Sequence, residues 1–316
     1  MTEPDTSGDL DVLIEAVRTR IGDAVRGLLV GSGGPGLEVF ETPVGDEGLL
    51  GPDSVAWRVH SDIAGIIGGL RALLLQTMHP LAMAGVAEHS DYRTDPWGRL
   101  HRTASFVSAT TFGSTATAER AIARVRAVHD TVEGVAPDGR PYSANDPALL
   151  RWVHATEVDS FVRAVRAYGS TELSDADVDR YLAEMAVIAI ALGAEDVPTS
   201  RRELTAYWND VRPALVAGAQ ARKTARFLVF PPVPLWARPA YALVTGAAVA
   251  LLPRFVQRGL RLPSAPLVDV VAVRPAAAML VRVLGWSLGP SPVVDAARRR
   301  VECDATPAEP AEPVAD

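Results

Sequence analysis

The residues best suited to chemistry in this sequence are two arginines and a threonine between positions 99 and 103. Read as a helix, the segment places Arg99, Arg102 and Thr103 on one face at steps of three and four, and Phe106 and Thr110 continue that face. Two guanidinium groups and a hydroxyl make a poor core face, but they suit the wall of a site that holds an anion or a polar reactant. The spacing therefore predicts a binding wall on this helix.

Two histidines stand inside apolar helical stripes and are the main candidates for ligands. His129 continues the stripe of Ile122 and Val125, and His154 continues a stripe that starts at Leu150. A haem iron needs one imidazole on a helix that faces an apolar slot, with an open side for oxygen. Each histidine is therefore either such a ligand or a hydrogen-bonded core residue.

If a haem is present, the arginine-bearing helix can form the opposite wall of its pocket. Arg99 and Arg102 suit contacts to haem propionates, and the Thr103 hydroxyl suits a hydrogen bond to bound oxygen. Phe106, on the same face, completes the predicted cofactor-binding set.

A non-haem iron site built from His129, His154 and Glu157 is the competing chemistry. His154 and Glu157 are three residues apart, so both can face one ion. Their order is the reverse of the Glu-x-x-His pattern of ferritin-like sites, and the pattern has no second copy. We therefore interpret Glu157 and Asp159 as capping or salt-bridging carboxylates.

The elements that must position these residues are predicted to be helices. The strongly apolar stretch from Val55 to Met78 predicts one buried central helix, which ends at His79 and Pro80. Extended backbone is expected only at 37–44. The sequence thus predicts an all-α fold with a single large helical domain at residues 9–303, and disordered ends at 1–8 and 304–316.

Composition excludes several classes of function. The net charge of −7 argues against a nucleic-acid partner, which would need a basic domain. A single cysteine, Cys303, allows neither an internal disulfide nor a thiolate metal cage. A signal peptide and a run of about 18 apolar residues are both missing, so we expect a cytoplasmic protein. Peripheral membrane contact through the proline-broken apolar segment 227–239 and the oligomeric state both stay open.

Several motifs resemble one known family. They are RLHRTASFVSATTFG, RVRAVHDTVEG and YSANDPALLRWVHATEVDS, with RALLLQTMHPLAMAGVAEHSDYRTDPWGR upstream of them. Together they resemble the bacterial family shared with rubber oxygenase (latex-clearing protein) and the fungal MpaB oxygenase, over roughly residues 50–260. The resemblance implies an all-helical, globin-reminiscent fold that holds a b-type haem and uses dioxygen to oxidise an apolar substrate.

The resemblance also implies roles for individual residues. The iron-ligating histidine of the family matches His129 best, with His154 as second choice, and its arginine and threonine match Arg99 and Thr103. The acid/base glutamate of rubber oxygenase corresponds loosely to Glu88.

One position departs from the family pattern. Arg102 stands where rubber oxygenase has a lysine that can close off the distal iron position. A guanidinium is always protonated and is a very poor iron ligand, so a lysine-gated mechanism and a polymer substrate are not expected. The sequence then favours a haem oxygenase acting on a small, lipid-like or unsaturated substrate. The alternative is a haem-free helical protein whose cavity binds a lipid or an isoprenoid.

Overall fold

The computed structural model describes residues 36–263 and 265–302 and, before them, residues 15, 16, 18–20, 22 and 23. The helices are α1 (Glu38–Glu41), α2 (Val55–Ser61), α3 (Gly65–Gln76), α4 (Pro80–His89), α5 (Pro96–Phe112), α6 (Thr115–His129), α7 (Pro147–Tyr168), α8 (Asp175–Leu192), α9 (Arg201–Val211), α10 (Ala219–Val229), α11 (Arg238–Ala250), α12 (Arg254–Leu260), α13 (Pro266–Val268), α14 (Arg274–Leu288) and α15 (Pro292–Glu302). A π-helical turn, Asp269–Val273, joins α13 to α14, and two 3₁₀ turns lie at Arg212–Ala214 and Leu235–Ala237. Strands β1 (Glu133–Val135) and β2 (Pro141–Ser143) pair antiparallel, with Gly134 opposite Tyr142.

This architecture confirms the all-α prediction within the described residues. The predicted disordered ends, 1–8 and 304–316, and Cys303 lie outside them. Among the described helices, none combines the length and the apolarity that crossing a membrane requires.

The centre of the fold is the packing of α3 along α7. Gly68 permits this close approach, because a Cβ there would lie 3.1 Å from the Cα of Phe161 and 3.2 Å from the carbonyl oxygen of Ser160. One turn further along α3, the buried Arg71 donates to Ser160 Oγ at 2.6 Å and lies 2.9 Å from the carboxylate of Asp159. Asp159 is therefore a salt-bridging carboxylate, as the sequence predicts for that residue.

The central helix is broken where the sequence predicts continuity. Asp62 separates α2 from α3, because its side chain accepts a hydrogen bond from the backbone N–H of Ala64 at 2.9 Å. Its other carboxylate oxygen accepts from the backbone N–H groups of Ser170 at 2.9 Å and Thr171 at 3.0 Å, beyond the end of α7. The prediction of one helix from Val55 to Met78 is thus wrong at this point, since a polar side chain capping two segments interrupts the apolar pattern.

The extended piece predicted at 37–44 is also wrong. Residues 38–41 form the short helix α1, whose Phe40 is buried and which packs against α15. Within the described residues, extended backbone occurs instead in strands β1 and β2, in the connection between α6 and α7.

Several helices surround the inner face of α7. Helix α5 packs on α6, α6 on α8, α8 on α7 and α7 on α3, while α2 contacts α5, α7 and α8. This arrangement turns the α7 stripe of Leu150, His154, Glu157 and Phe161 towards the interior.

Candidate functional site

One face of α3, beside α7, keeps accessible surface, and we refer to this open strip as the crevice. Gly69, Leu73 and Gln76 follow one another on that face and keep accessible surface, although most of the helix is buried. A Cβ placed on Gly69 would meet no atom within 4 Å. Because the Gln76 side chain hydrogen-bonds to Glu157 on α7, the open face of α3 adjoins the stripe that also carries His154.

Glu157 is a deeply placed carboxyl group that keeps some accessible surface. Burial raises its pKa to about 7, and the hydrogen bond with Gln76 opposes that shift only in part. The interpretation of Glu157 as a capping or salt-bridging carboxylate is therefore wrong, because its partner is a neutral amide. Glu157 can hold or release a proton near neutral pH in the interior of the protein.

Two further polar groups, His60 and Tyr181, lie beside this crevice. The Tyr181 hydroxyl and His60 Nε2 are 3.3 Å apart, and the His60 ring stands edge-on to Phe161 at 4.9 Å between centroids. Burial lowers the pKa of His60 to about 4, so its ring is neutral at pH 7. The pKa of Tyr181 is raised well above its usual value, first by burial and then by the negative charges of Glu157 and Glu184.

His154 is a buried imidazole with an unused nitrogen. Its side chain is 7% exposed, and its Nε2 atom is buried without a hydrogen-bond partner. Burial lowers its pKa to about 4, so the ring is neutral, which is the form that can coordinate a metal. An unpaired buried polar atom costs about 1–3 kcal/mol, so this nitrogen fits a role as ligand to a group that fills the crevice.

His129 has similar properties at the end of α6. It is the last residue of that helix and is half-buried, and its Nδ1 atom is buried without a partner. Burial lowers its pKa, against the opposing effect of the neighbouring Asp130. Within the described residues no hydrogen bond or ring contact joins His129 to His154. Each of the two therefore offers a ring nitrogen without a hydrogen-bond partner, independently of the other.

The predicted wall on α5 forms in part. Phe106 packs against the main core and Thr110 is buried, so the C-terminal part of this face turns inwards, whereas Thr103 is exposed. Nearer the start of the helix, the guanidinium of Arg99 donates to Ser90 Oγ, and the Thr103 hydroxyl donates to the Arg99 carbonyl oxygen at 3.1 Å. Burial lowers the pKa of Arg99.

Arg102 lies apart from that wall. Its side chain is exposed and pairs with the exposed Asp95 at 3.4 Å. Asp95 also caps α5 by accepting from the backbone N–H of Gly98 at 2.8 Å. The structure thus separates Arg102 from the inward-facing part of α5, although the sequence places both on one stripe.

Glu88 belongs to a hydrogen-bonded group of three side chains at the end of α4. The Tyr142 hydroxyl donates to Glu88 Oε2 at 2.5 Å, and His89 Nε2 lies 3.1 Å from the same hydroxyl. Burial and the hydrogen bond to Glu88 raise the pKa of Tyr142 to about 12. The phenol therefore keeps its proton at physiological pH and acts as a fixed hydrogen-bond donor that orients the Glu88 carboxylate.

The three residues of the alternative non-haem site do not form a ligand set. Among the residues that the structure describes, no group of three or more histidine, cysteine, aspartate or glutamate side chains is arranged to hold a metal ion. His129, His154 and Glu157 accordingly lack the geometry that a non-haem iron site requires.

Four polar residues of this region have no clear signal in the sequence. Gln76, Tyr142 and Tyr181 resemble ordinary helix or loop residues there, and His60 meets Tyr181 only across 121 positions of chain. A local pattern cannot show such pairs, because folding alone brings them together.

The comparisons with known proteins agree with the fold and with the motifs. A family model described as "ER-bound oxygenase mpaB/B'/Rubber oxygenase, catalytic domain" matches residues 57–286, which include α3 to α8 and every candidate residue named above. Among curated proteins and among solved structures, no match to this chain is found.

Proposed function

The chain belongs to the family of MpaB and rubber oxygenase catalytic domains, and from that premise we propose that it is a haem b-dependent oxygenase that uses dioxygen on a small apolar substrate. The family supports oxygenase chemistry in general. The cofactor, its ligand and the substrate class are our proposal.

The observation that carries the haem proposal is that His129 and His154 are at least partly buried, incompletely bonded histidines, a property that they share with His79 at the start of α4. Burial lowers the pKa of both His129 and His154, and each has one buried ring nitrogen without a partner. An iron porphyrin needs one neutral imidazole, whereas a non-haem site needs several ligands together. The residues present therefore fit a haem better than they fit a bare metal ion.

We assign the iron ligand to His129, with His154 as the alternative. His129 stands at the position of the family's ligand histidine, in RAVHDTV. Geometry also supports His154, because its ring nitrogen without a hydrogen-bond partner is Nε2 and because it shares the crevice with Glu157. When bound, a haem would supply the redox chemistry that activates dioxygen, which amino-acid side chains alone cannot supply.

The chain's own residues position the reactants. Arg99, held by Ser90, offers a fixed positive charge for a propionate or for developing negative charge on oxygen. One turn further along, Thr103 is exposed and its hydroxyl donates to the Arg99 carbonyl oxygen, so Phe106 is the residue that adds an inward-facing apolar surface to this wall. The exposed Arg102, paired with Asp95, does not take the part of the family's lysine.

Proton handling is the role that we propose for the carboxyl groups. Glu88 accepts a short hydrogen bond from the Tyr142 hydroxyl, which orients its carboxylate for the acid/base role that we propose for it. Glu157 can take such a role within the crevice, since its pKa of about 7 lets it exchange a proton at physiological pH.

The test is to measure haem binding by the purified protein and by single histidine variants. Protein from cells given a haem precursor is expected to show a Soret band at about one haem per chain by pyridine haemochrome. His129→Ala should lose the haem, because it removes the ligand. His154→Ala should keep the haem with a shifted spectrum, and His101→Ala, off the Arg99 face of α5, should match the wild type.

Three results would contradict the proposal. Full haem loading with an unchanged spectrum in His129→Ala would refute that ligand, and loss of haem in His154→Ala alone would transfer the role to His154. A protein without a Soret band after haem reconstitution would refute haem dependence. Co-purified lipid in such a colourless protein would favour the haem-free lipid-binding alternative.

A further inference from the structure

The long helix formed by α13, the π turn and α14 has an exposed apolar stripe along its outer side. Val268, Val271 and Met279 follow one another there at about helical spacing, and their exposed fractions are 53%, 66% and 57%. A soluble helix at the surface of a core normally turns charged and polar residues to this side.

The inner side of the same helix is apolar as well. Ala277 and Val281 are buried, and Val273 packs against the backbone at Gly246 in α11. The inner side of the helix therefore packs on the core, and the exposed stripe on the outer side does not contribute to that packing.

A second exposed apolar group precedes α11. Phe230, Leu235 and Trp236 are 76%, 73% and 61% exposed, in a segment whose prolines prevent regular helix. Nine of the 17 large apolar residues that are exposed in the described part of the chain lie between positions 230 and 286. Exposed apolar residues concentrated in this way mark an interaction surface.

The charge of this part of the chain is opposite to that of the rest. Residues 212–290 contain ten basic residues and one acidic residue, Asp269, which gives a net charge of +9. The whole chain carries −7, so the remaining residues together carry −16. All the basic side chains in this stretch except Arg222 are exposed.

From these observations we infer that the exposed surface of residues 212–290 docks on a bilayer that contains anionic lipid. Trp236 and Phe230 suit the headgroup level, where amphipathic rings collect, and the arginines suit anionic headgroups. A second copy of the chain is the other candidate occupant, but it would bring two positively charged surfaces together. Anionic lipid satisfies both the apolar stripe and the charge, and this inference is independent of the haem proposal.

The experiment is vesicle flotation of the full chain with phosphatidylcholine alone and with 30% phosphatidylglycerol added. We expect binding to the anionic vesicles that weakens as salt is raised, because salt screens the charges. Val271→Glu with Met279→Glu should reduce binding at least ~10-fold, since it places charge on the apolar stripe. The matched control is Val187→Glu with Ile190→Glu on α8, which are also exposed and should bind like the wild type.

A second set of variants tests the charge. Arg226→Gln, Arg238→Gln and Arg282→Gln together should weaken binding to anionic vesicles at least ~10-fold, since each basic residue near such a surface contributes about 1 kcal/mol. Arg124→Gln, Arg202→Gln and Arg298→Gln remove the same charge elsewhere and should have little effect.

The proposal is overturned by equal binding with and without anionic lipid, by no binding, or by equal losses in the test and control variants. It is also overturned if light scattering shows a dimer that Val271→Glu with Met279→Glu converts to a monomer. Reduced binding in the test variants only, from a monomer of unchanged circular dichroism, supports it.

Discussion

At the scale of single residues, Glu157 makes the stability of the folded protein depend on pH. Its folded-state pKa of about 7 lies above the ordinary value of 4.5, because burial disfavours the carboxylate. In the unfolded chain the group ionises near its ordinary pKa, so the folded state binds more protons between these two values. Glu157 therefore supports stability fully below about pH 4.5, and that contribution is lost as the pH rises through about 7.

Replacing Glu157 by Gln should remove this pH dependence. We expect Glu157→Gln to unfold with about the wild-type free energy at pH 4.5 and to be more stable by on the order of 2 kcal/mol at pH 8. Urea unfolding at pH 4.5, 6, 7 and 8 measures the difference. A difference that is constant over this range would contradict the raised pKa.

The buried histidines change the stability with pH in the opposite direction, and they do not interfere with this test. His60 and His154 have pKa values lowered from 6.5 to about 4, so their contribution is present above pH 6.5 and is lost as the pH falls towards 4. Both proteins contain both histidines, so comparing variant with wild type at each pH isolates Glu157.

At the scale of helices, the contact between α3 and α7 depends on which glycine faces α7. A Cβ at Gly68 would lie 3.0–3.2 Å from Phe161 and Ser160, including backbone atoms that cannot move aside cheaply. At the next position, Gly69, a Cβ would meet nothing within 4 Å, because that side of α3 borders the crevice.

Alanine substitutions at these two neighbouring positions should therefore have opposite effects. Gly69→Ala should stabilise by up to about 1 kcal/mol through helix propensity. Gly68→Ala gains the same propensity but forces the helices apart, so we expect a net loss of about 1–2 kcal/mol. Urea unfolding of both variants checks this, and equal stabilities would show that α3 and α7 are not in close contact at Gly68.

The comparison of sequence with structure shows which features local pattern can predict. Helical periodicity predicts α5, α6 and α7, and it predicts the inward face of α5 only from Phe106 onwards, because such faces depend on residues three and four apart. It does not predict the break at Asp62, which needs partners at Ser170 and Thr171. It also mistakes Glu157 for a paired surface carboxylate, because its partner Gln76 belongs to another helix.

Some residues of the candidate site can likewise be predicted from the sequence, and others cannot. His129 and His154 are predicted from their apolar stripes, and Glu88 only from the family resemblance. The short hydrogen bond from Tyr142 to Glu88 joins residues 54 positions apart, so no sequence spacing indicates it. Arg102 lies outside the inward-facing wall, where its exposed side chain pairs with Asp95.

At the scale of the whole molecule, the ends of the described chain hold the family domain together. The matched segment ends at residue 286, yet α15 follows it and packs against α1, which lies before the segment begins. Arg300 in α15 is 1% exposed, and its guanidinium donates to the carbonyl oxygens of Phe40 at 2.8 Å, Asp46 at 2.7 Å and Phe112 at 2.9 Å. One side chain thus joins α1, the following loop and the end of α5.

Removing that side chain should destabilise the protein strongly. Arg300→Met leaves three carbonyl groups without their charged donor, and hydrogen bonds to charged groups contribute about 1.5–3 kcal/mol each. We expect a loss of at least ~3 kcal/mol in the free energy of unfolding, measured by urea denaturation. The control is Arg298→Met, two residues earlier and exposed, which should change stability by less than about 0.5 kcal/mol. Phe112 is the last residue of α5, the helix that carries Arg99, so Arg300→Met should also weaken haem retention. Equal stability of Arg300→Met and Arg298→Met would show that the ends of the described chain do not hold the site in place.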